Sequence, residues 1–352
     1  MSKLSKSLLA YTFSHFCVDF ACFFILFGVF KVSQNNLKDV SIGFLIYNVI
    51  AFGLQPLVGK VCDDKPRIPI GIIGCFIVLL GLFATSFPWV SMVICALGNA
   101  FFHVGGGIDS LVFSKGKMAR SGIFVSSGAL GVFFGTLIGN SYNALNFIPM
   151  ALIVASIILL TLFAIKYENG QKCEIDVASE FSFAIVLPLI FASIMVRSYV
   201  GGIIPMEWKT GVYVFLPAFS SCLGKAIGGI LGDKFGAKNI GVAALILSIP
   251  FLCFGKNIVL LSVIGIILFN ITMPITLAVA ASKLPYNPGL AFGLTTLALL
   301  CGNIPTFFIE VPKNLVFLLL IILIILSSIC ILLSTKNHFK GDEVLWKEYL
   351  DN

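Results

Sequence analysis

Long apolar segments alternate with short polar loops along the whole chain. A helix needs about 20 apolar residues to cross the hydrocarbon core of a bilayer. Twelve segments meet or approach that length, over residues 7–30, 41–60, 68–87, 89–113, 121–141, 145–165, 180–203, 209–232, 239–255, 258–282, 287–308 and 313–335. They leave little chain for loops and no room for an inserted soluble domain. The pattern therefore predicts an all-α membrane protein with twelve transmembrane helices.

Two of the polar loops repeat one pattern about half a chain apart. Gly59–Asp63 matches Gly229–Asp233 at an offset of 170, with a glycine four positions before an aspartate in both copies. After the second copy the chain turns through Gly236, between Lys234 and Lys238. A short basic turn that directly follows an apolar run indicates a tight loop between two membrane helices.

Other polar positions correspond between the two halves at nearly the same offset. The matching pairs are Gln55 with Lys225, Asn99 with Asn270, and Ser126–Ser127 with Thr295–Thr296. Such a repeat predicts two pseudo-symmetric six-helix bundles around a central path, with the binding site near the bilayer midplane between them. The predicted organisation is an N-terminal bundle at 1–166, a cytoplasmic linker at 167–179, a C-terminal bundle at 180–335 and a cytoplasmic tail at 336–352.

Composition and charge agree with a membrane location. With 59% hydrophobic and 11% charged residues, the chain has too little polar surface to cover a soluble globule. Most Lys and Arg residues fall on the side of the membrane that holds the N-terminus, so the positive-inside rule places both termini in the cytoplasm. This asymmetry explains the net charge of +7 without a nucleic-acid partner. The predicted location is a bacterial cytoplasmic membrane.

The repeated loop carries a family resemblance. The pattern Gly-x-x-x-Asp-(Arg/Lys)-x-Gly-x-(Arg/Lys) resembles the signature loop of the major facilitator superfamily, which occurs after the second and the eighth helices. The copy that ends at Lys238 fits well, whereas the first copy has Asp64 in place of a basic residue and Pro66 in place of the glycine. The segment 54–59, with His15 and Asp19 in the first helix, looks most like the fosmidomycin-resistance-type drug exporters.

The resemblance implies the major facilitator fold, secondary transport by alternating access, and a conformational gate at the repeated loops. In that family the loop aspartate pairs with basic residues and helix ends on the cytoplasmic side until transport breaks the contact. The residues that we assign to the gate on this basis, with Asp109 added from its position in the chain, are Gly59, Asp63, Arg67, Asp109, Gly229, Asp233, Lys234, Gly236 and Lys238.

The predicted first helix contains two ionisable residues on one face. An ionisable side chain within a membrane span costs roughly 2.5–3.5 kcal/mol on insertion scales, so its presence needs a reason. His15 and Asp19 are four residues apart and therefore neighbours on a helix. They predict a proton-coupling site, since His titrates near neutrality. A buried hydrogen bond that fixes the first helix explains the same pair equally well.

The fourth predicted helix contributes three further polar residues. Asn99 and His103 fall near the middle of the span and are candidates for substrate binding, with an interhelical hydrogen bond as the alternative for His103. Asp109 lies nearer the inner end, where a pair with Lys115 or Arg120 would make it part of the gate.

The second half adds candidates of opposite charge. Arg197 and Lys225 could face the central cavity and bind an anionic group, although snorkelling towards the membrane surface is an alternative for both. Asn270 and Asn303 mark interrupted helices, which are tolerated against protein or a wet cavity. We therefore add these four residues to the predicted substrate site.

The sequence suggests no metal site or cofactor. Its ten cysteines are scattered singly, mostly within apolar runs, without a metal-ligand spacing. No nucleotide-binding motif is recognisable, so ATP is not the expected energy source. Paired catalytic aspartates and a Ser/His arrangement are also missing, which argues against an intramembrane enzyme.

The function predicted from these features is secondary active transport of a small molecule, with proton-coupled export of a drug-like or amphipathic metabolite as the leading hypothesis. Uptake of a small anionic metabolite, with Arg197 and Lys225 as anion-binding groups, is the first alternative. A non-transporting membrane receptor or assembly protein is the second. The expected partners are the substrate, protons and the lipid bilayer, and one chain is expected to function as a monomer. The sequence does not identify the substrate, the direction of transport or the coupling ion.

Overall fold

A computed structural model describes residues 2–65, 68–141, 147–168 and 170–336, and these are almost entirely helical. The helices are α1 Lys3–Ser33, α2 Leu37–Asp64, α3 Ile70–Phe83, α4 Pro88–Val112, α5 Ala119–Asn140, α6 Phe147–Phe163, α7 Phe183–Ile203, α8 Gly211–Phe235, α9 Ala237–Phe254, α10 Val259–Lys283, α11 Pro288–Phe307 and α12 Val316–Ser334. Among the described residues, ten of these helices are long and apolar enough to cross a membrane.

The remaining two helices, α3 and α6, are apolar but shorter, so the predicted count of twelve spans is not confirmed. The difference is largest at α3, for which the sequence predicted residues 68–87. The helix stops at Phe83 and a turn follows to Pro88, which begins α4. With 14 residues at 1.5 Å each, α3 is about 21 Å long and falls short of the roughly 30 Å hydrocarbon core.

The helix packing repeats between the N-terminal half (α1–α6) and the C-terminal half (α7–α12). In the first half α1 packs against α4, α5 and α6, and α3 packs against α4 and α6. In the second half α7 packs against α10, α11 and α12, and α9 packs against α10 and α12. The same pairs therefore recur six helices later, as the internal repeat in the sequence predicted. The domain boundaries themselves stay predictions.

Much of the outer surface is apolar. On α12, for example, Leu318, Ile322 and Ile329 are each about half exposed although they lie in the most apolar helix of the chain. Contiguous exposed apolar surface of this extent is incompatible with water and fits contact with lipid. The protein is a multi-pass integral membrane protein.

The segment 164–182 joins the halves at one end of the helical bundle, which we call the linker end. Its Ser179 N–H donates to the Ser334 carbonyl at 2.8 Å, and its Cys173 N–H donates to the Pro285 carbonyl at 2.8 Å. The segment is therefore fixed along the ends of α10 and α12 and does not hang freely between the halves. The predicted linker, 167–179, lies within it. The predicted tail lies almost wholly outside the described residues.

A buried ion pair ties three helices of the N-terminal half together at the linker end. Arg120 donates from Nη2 to Asp109 Oδ1 at 2.5 Å and from Nη1 to the Leu4 carbonyl at 2.7 Å. The Ser7 hydroxyl donates to the second Asp109 oxygen at 2.5 Å. The sequence suggested Lys115 or Arg120 as the partner of Asp109, and the structure shows Arg120 in this position. Because all these groups belong to one half, the ion pair does not itself bridge the halves, and a gating role for Asp109 stays a prediction.

Candidate functional site

Four buried polar side chains meet between α1 and α4. His15 and Asp19 come from α1, and Asn99 and His103 come from α4. Each pair is spaced by four residues, so each presents two side chains on one helix face. The four residues are between 2% and 7% exposed. We call this group the α1–α4 cluster.

The contacts within the α1–α4 cluster are short. Asn99 Nδ2 donates to Asp19 Oδ1 at 3.0 Å. His15 Nε2 lies 3.3 Å from Asp19 Oδ2, and His103 Nε2 lies 3.7 Å from Asp19 Oδ1. The Nε2 atoms of the two histidines are 2.9 Å apart. The sequence prediction divided these residues into a coupling site and a substrate site, whereas the structure places all four in one connected group.

An interruption in α5 supplies a further contact to the cluster. The helix turns at Ser127, and the carbonyl of Phe124 just before this turn accepts a hydrogen bond from His15 Nδ1 at 2.7 Å. The Phe124 ring also stacks on the His15 ring, with 4.7 Å between centroids. Just after the turn, Gly128 lets α5 approach so closely that a Cβ there would lie about 2.5 Å from Asp19 Oδ2.

Two other ionisable groups surround the cluster. Lys225, on α8 of the C-terminal half, is half-buried and interacts electrostatically with both Asp19 and His103. Tyr47, on α2, is buried and interacts electrostatically with Asp19. The cluster is therefore open to electrostatic influence from the opposite half.

The corresponding helix pair of the C-terminal half, α7 and α10, carries a buried cation. Arg197 is 6% exposed and donates from Nη1 to Thr272 Oγ1 at 2.6 Å and from Nη2 to Thr276 Oγ1 at 2.8 Å. Its Nε is buried without a partner, and among the described residues no carboxylate lies within ion-pair distance of it. Among the described residues, the hydrogen bonds to this guanidinium therefore come from two threonine hydroxyl groups.

The two remaining substrate-site candidates have local partners. Asn270 donates to the Ile266 carbonyl at 2.9 Å and accepts from the Ser221 hydroxyl at 2.9 Å, so it links α10 to α8. Asn303 ends the regular part of α11, and its side chain accepts from Thr306 at 3.3 Å. The structure does not bring Asn303 into the α1–α4 cluster. The substrate-binding role of both residues stays a prediction.

The first loop aspartate contacts the opposite half at the linker end. Asp63 accepts hydrogen bonds from the backbone N–H groups of Gly289 and Leu290, both at 2.8 Å, and these are among the first amides of α11. The N-terminus of a helix attracts anions because its amide groups are unpaired and its dipole is positive there. Gly59 packs directly on the Gly289 backbone, where a Cβ would collide.

The second loop aspartate repeats this contact with the halves exchanged. Asp233, from α8, accepts from the N–H groups of Met118 and Ala119 at 2.7 and 2.9 Å, at the start of α5. Gly229 packs on the backbone of Ala119. Together, the Asp63 and Asp233 contacts form what we call the double latch, which holds the two halves together at the linker end.

The other residues of the predicted gate lie around the double latch. Gly236 has a φ of +89° at the turn between α8 and α9, a conformation that favours glycine. Lys234 is exposed over the Phe235 ring and Lys238 is half-buried. Arg67 lies outside the described residues.

Three side chains of the α1–α4 cluster bear on the prediction that the protein has no metal site, because their geometry could hold a metal ion. One atom from each of His15, Asp19 and His103 lies within 4.8 Å of the others. Nitrogen and carboxylate ligands of this kind are ones that a divalent cation can also use. The spacing of cysteines, on which the prediction rested, could not reveal a group built from two helices.

Sequence reasoning missed several residues that shape the site. Phe124, Gly128, Thr272 and Thr276 contribute through packing and through ordinary backbone or hydroxyl contacts, which leave no distinct signal in a single sequence. One signal was available: Asn99 and His103 have the same four-residue spacing as His15 and Asp19, which places each pair on one helix face.

Comparison with known proteins supports the fold. No protein-family model matches the chain. A curated relative, the uncharacterized MFS-type transporter YfnC of Bacillus subtilis (strain 168), is 24% identical over 73% of this chain and 75% of its own length.

Solved structures share the architecture at low sequence identity. The Escherichia coli fucose:proton symporter FucP is 13% identical over 94% of this chain and 99% of its own, with a TM-score of 0.65. The human organic anion transporter MFSD10 (TETRAN) is 12% identical over 94% of this chain and 100% of its own, with a TM-score of 0.64. A bacterial homologue of the iron transporter ferroportin, in an outward-facing state, is 13% identical over the full length of both chains, with a TM-score of 0.58.

These similarities show that the chain has the all-helical fold that these transporters share. They do not confirm the finer resemblance to the fosmidomycin-resistance-type exporters.

Replacing Gly128 with alanine tests the close approach of α5 to the cluster. The added methyl group would contact His15 Nε2 and Asp19 Oδ2, so we expect Gly128→Ala to destabilise the protein by about 1–3 kcal/mol, as overpacking does. Thermal unfolding in detergent measures the effect. Gly201→Ala is the matched control, because no atom lies within 4 Å of a Cβ at that position. Equal melting temperatures for both variants would contradict the packing described here.

The double latch can be tested by cross-linking across the halves. Lys60 is exposed and contacts the half-buried Asn287 across the halves, with 3.2 Å between Nζ and Oδ1. Lys60→Cys with Asn287→Cys therefore gives a reporter pair for a bifunctional thiol reagent. Asp63→Ala removes two charge-assisted hydrogen bonds, each of about 1.5–3 kcal/mol, and should lower the cross-linking yield about tenfold or more. Asp64→Ala, which removes a neighbouring exposed charge, should leave the yield unchanged. Equal losses in both variants would show that charge alone, and not the helix contact, sets the yield.

Proposed function

We propose that this protein is a secondary active transporter that exports a drug-like or amphipathic metabolite in exchange for protons by alternating access. The observation that carries the proposal is the α1–α4 cluster, in which a buried carboxylate and two histidines meet in a helix bundle of the major facilitator fold. The transporter would act as a single chain in a bacterial cytoplasmic membrane, with both termini inside. It would need no cofactor and would not be an enzyme.

The chemistry of the cluster supports proton coupling. Ionisable residues within membrane spans mark ion pathways and proton relays, because their cost is otherwise not offset. Carboxylates and histidines that meet in a membrane bundle are the groups from which proton relays are built. Lys225 of the opposite half interacts electrostatically with Asp19 and His103, so a change of charge in the cluster would alter the electrostatic energy between the two halves.

The double latch supports alternating access. Both loop aspartates bind the start of a helix in the other half, and these contacts are hydrogen bonds that can open without breaking either bundle. If the linker end is cytoplasmic, as the distribution of Lys and Arg predicts, the protein is closed towards the cytoplasm in this state. The structure of the ferroportin homologue is described as outward-facing. One structure of FucP is described as being in the outward conformation.

Export of an amphipathic compound rests on weaker ground than coupling. It is supported by the likeness of residues 54–59, His15 and Asp19 to drug exporters and by the aromatic surroundings of the cluster. Phe102 and Phe124 lie beside His15, and Phe292 of the other half lies 6.1 Å from Phe124 between ring centroids. Such rings favour apolar or cationic groups in a ligand.

Neutralising Asp19 tests the proposal. Asp19→Asn keeps the shape of the side chain but removes the charge that balances a proton, so we expect uphill transport to be lost while substrate binding is retained. Proteoliposomes with an internal pH-sensitive dye and an imposed proton gradient measure this, with a panel of cationic, neutral and anionic compounds. Asp39→Asn, at the start of α2, is the control and should transport normally. Undiminished uphill transport in Asp19→Asn would contradict the coupling role. If the wild type moves none of the compounds, a non-transporting receptor or assembly protein is favoured.

A second candidate function is uptake of a small anionic metabolite, and Arg197 is the observation that favours it. Its guanidinium is buried between α7 and α10 without a carboxylate partner among the described residues, and its Nε has no hydrogen-bond partner. An uncompensated buried charge is costly, and an anionic substrate would supply the missing counter-charge. Arg also binds carboxylate and phosphate groups through two parallel hydrogen bonds.

Removal of the Arg197 charge separates the two functions. If the substrate is anionic, Arg197→Gln should weaken its binding by 2–5 kcal/mol, which is about 30-fold or more. Calorimetric titration of the detergent-solubilised protein with anionic and cationic members of the panel measures the change. Lys209→Gln, which removes an exposed positive charge outside α7 and α8, should bind normally. Unchanged affinity for every anionic compound in Arg197→Gln would remove this second candidate.

A further inference from the structure

The two histidines of the α1–α4 cluster present the same nitrogen to each other. His15 Nδ1 lies 2.7 Å from the Phe124 carbonyl oxygen, and His103 Nδ1 lies 2.9 Å from the Asn99 carbonyl oxygen. A carbonyl oxygen can only accept a hydrogen bond, so each Nδ1 must carry a hydrogen. Both imidazole rings are thereby held in the same tautomer.

This tautomer leaves a problem at the other nitrogen of each ring. A neutral imidazole has one N–H, so a ring that is protonated at Nδ1 has a lone pair at Nε2. The two Nε2 atoms are 2.9 Å apart, which is a normal hydrogen-bond distance between nitrogen atoms. Two lone pairs that face each other at this distance repel, and the contact becomes attractive only with a positive charge between them.

Of the charges around this gap, the Asp19 carboxylate favours one additional proton, whereas the Lys225 ammonium opposes it. Asp19 Oδ2 lies 3.3 Å from His15 Nε2, and Asp19 Oδ1 lies 3.7 Å from His103 Nε2. Asn99 holds the carboxylate in this orientation with a hydrogen bond of 3.0 Å. The other charged or titratable groups that act on the cluster are Lys225 from α8 and Tyr47 from α2. With one proton between the histidines and an ionised Asp19, the cluster has no net charge, which is the state that burial favours.

We infer that His15 and His103 share one excess proton between their Nε2 atoms, and that Asp19 is the counter-ion of this proton and not its carrier. The inference deepens the proposed function, because this would be the proton that drives transport. Release transfers H⁺ from the N–H–N bond to water and leaves both electron pairs on the Nε2 atoms. The two rings then repel each other, and Asp19 keeps an uncompensated negative charge that Lys225 of the opposite half is placed to balance.

Nitrogen NMR on protein labelled in its histidines tests this arrangement directly. The chain has only three histidines, and the third, His338, can be removed as His338→Gln, which leaves His15 and His103 as the only signals. We expect both Nδ1 atoms to be protonated, both Nε2 atoms to show intermediate shifts from one shared proton, and the pair to lose this proton in a single step as the pH rises. In His103→Gln, the His15 Nε2 signal should shift to that of an unshared nitrogen.

Several results would overturn the inference. These are a neutral ring with its hydrogen on Nε2, two independent protonation steps, or one equivalent of a transition metal found by elemental analysis of protein purified without added metal. The transport assay separates this inference from the proposed function. A shared proton without any response of transport to a pH gradient would leave the inference standing and contradict the coupling. Coupled transport without a shared proton would do the reverse.

Discussion

The structure depends on how each buried charge is compensated in a chain that has lipid, and not water, as its surroundings. An ionised group removed from water costs several kcal/mol unless charges or hydrogen bonds replace its hydration. Asp109 is compensated by Arg120 within one half, so a relative movement of the two halves does not by itself break this contact. Asp63 and Asp233 are compensated by helix N-termini of the other half. Charge compensation within a half therefore helps to make that half a rigid body. The contacts that compensate a charge across the halves can instead break when the halves move apart.

Helices α5 and α8 connect the double latch to the buried cluster. The first residues of α5 bind Asp233, and two turns further on the same helix offers the Phe124 carbonyl to His15 and packs Gly128 against Asp19. Helix α8 carries Asp233 at one point and Lys225 two turns earlier. A displacement of α8 from α5 at the linker end would therefore open one latch contact and change the distance of Lys225 from the cluster. Helices α5 and α8 thus each take part both in a latch contact and in the surroundings of the cluster.

The sequence was informative where local patterns decide the structure. Apolar length predicted most helices, and the glycine four residues before an aspartate marked two of the places where backbones of opposite halves touch. The prediction was wrong in length at α3, since residues 84–87, which include Thr85 and Ser86, form a turn before Pro88 and do not extend the helix. The meeting of His15 with His103 could not be predicted, because it depends on the register of α1 against α4, and only packing in three dimensions sets that register. The same is true of Arg197 and its two threonines, which come from helices about 75 residues apart.

The two halves place charges of opposite sign and different chemistry on corresponding helix pairs. Between α1 and α4 lies a group of titratable side chains, which can be neutral or charged according to the number of protons it holds. Between α7 and α10 lies Arg197, whose guanidinium remains protonated at any pH that a cell reaches. The first site can therefore change its charge, whereas the second requires a negative or polar partner in every state. A repeat that began with equal halves can in this way divide the work, with a variable charge in one half and a fixed charge in the other.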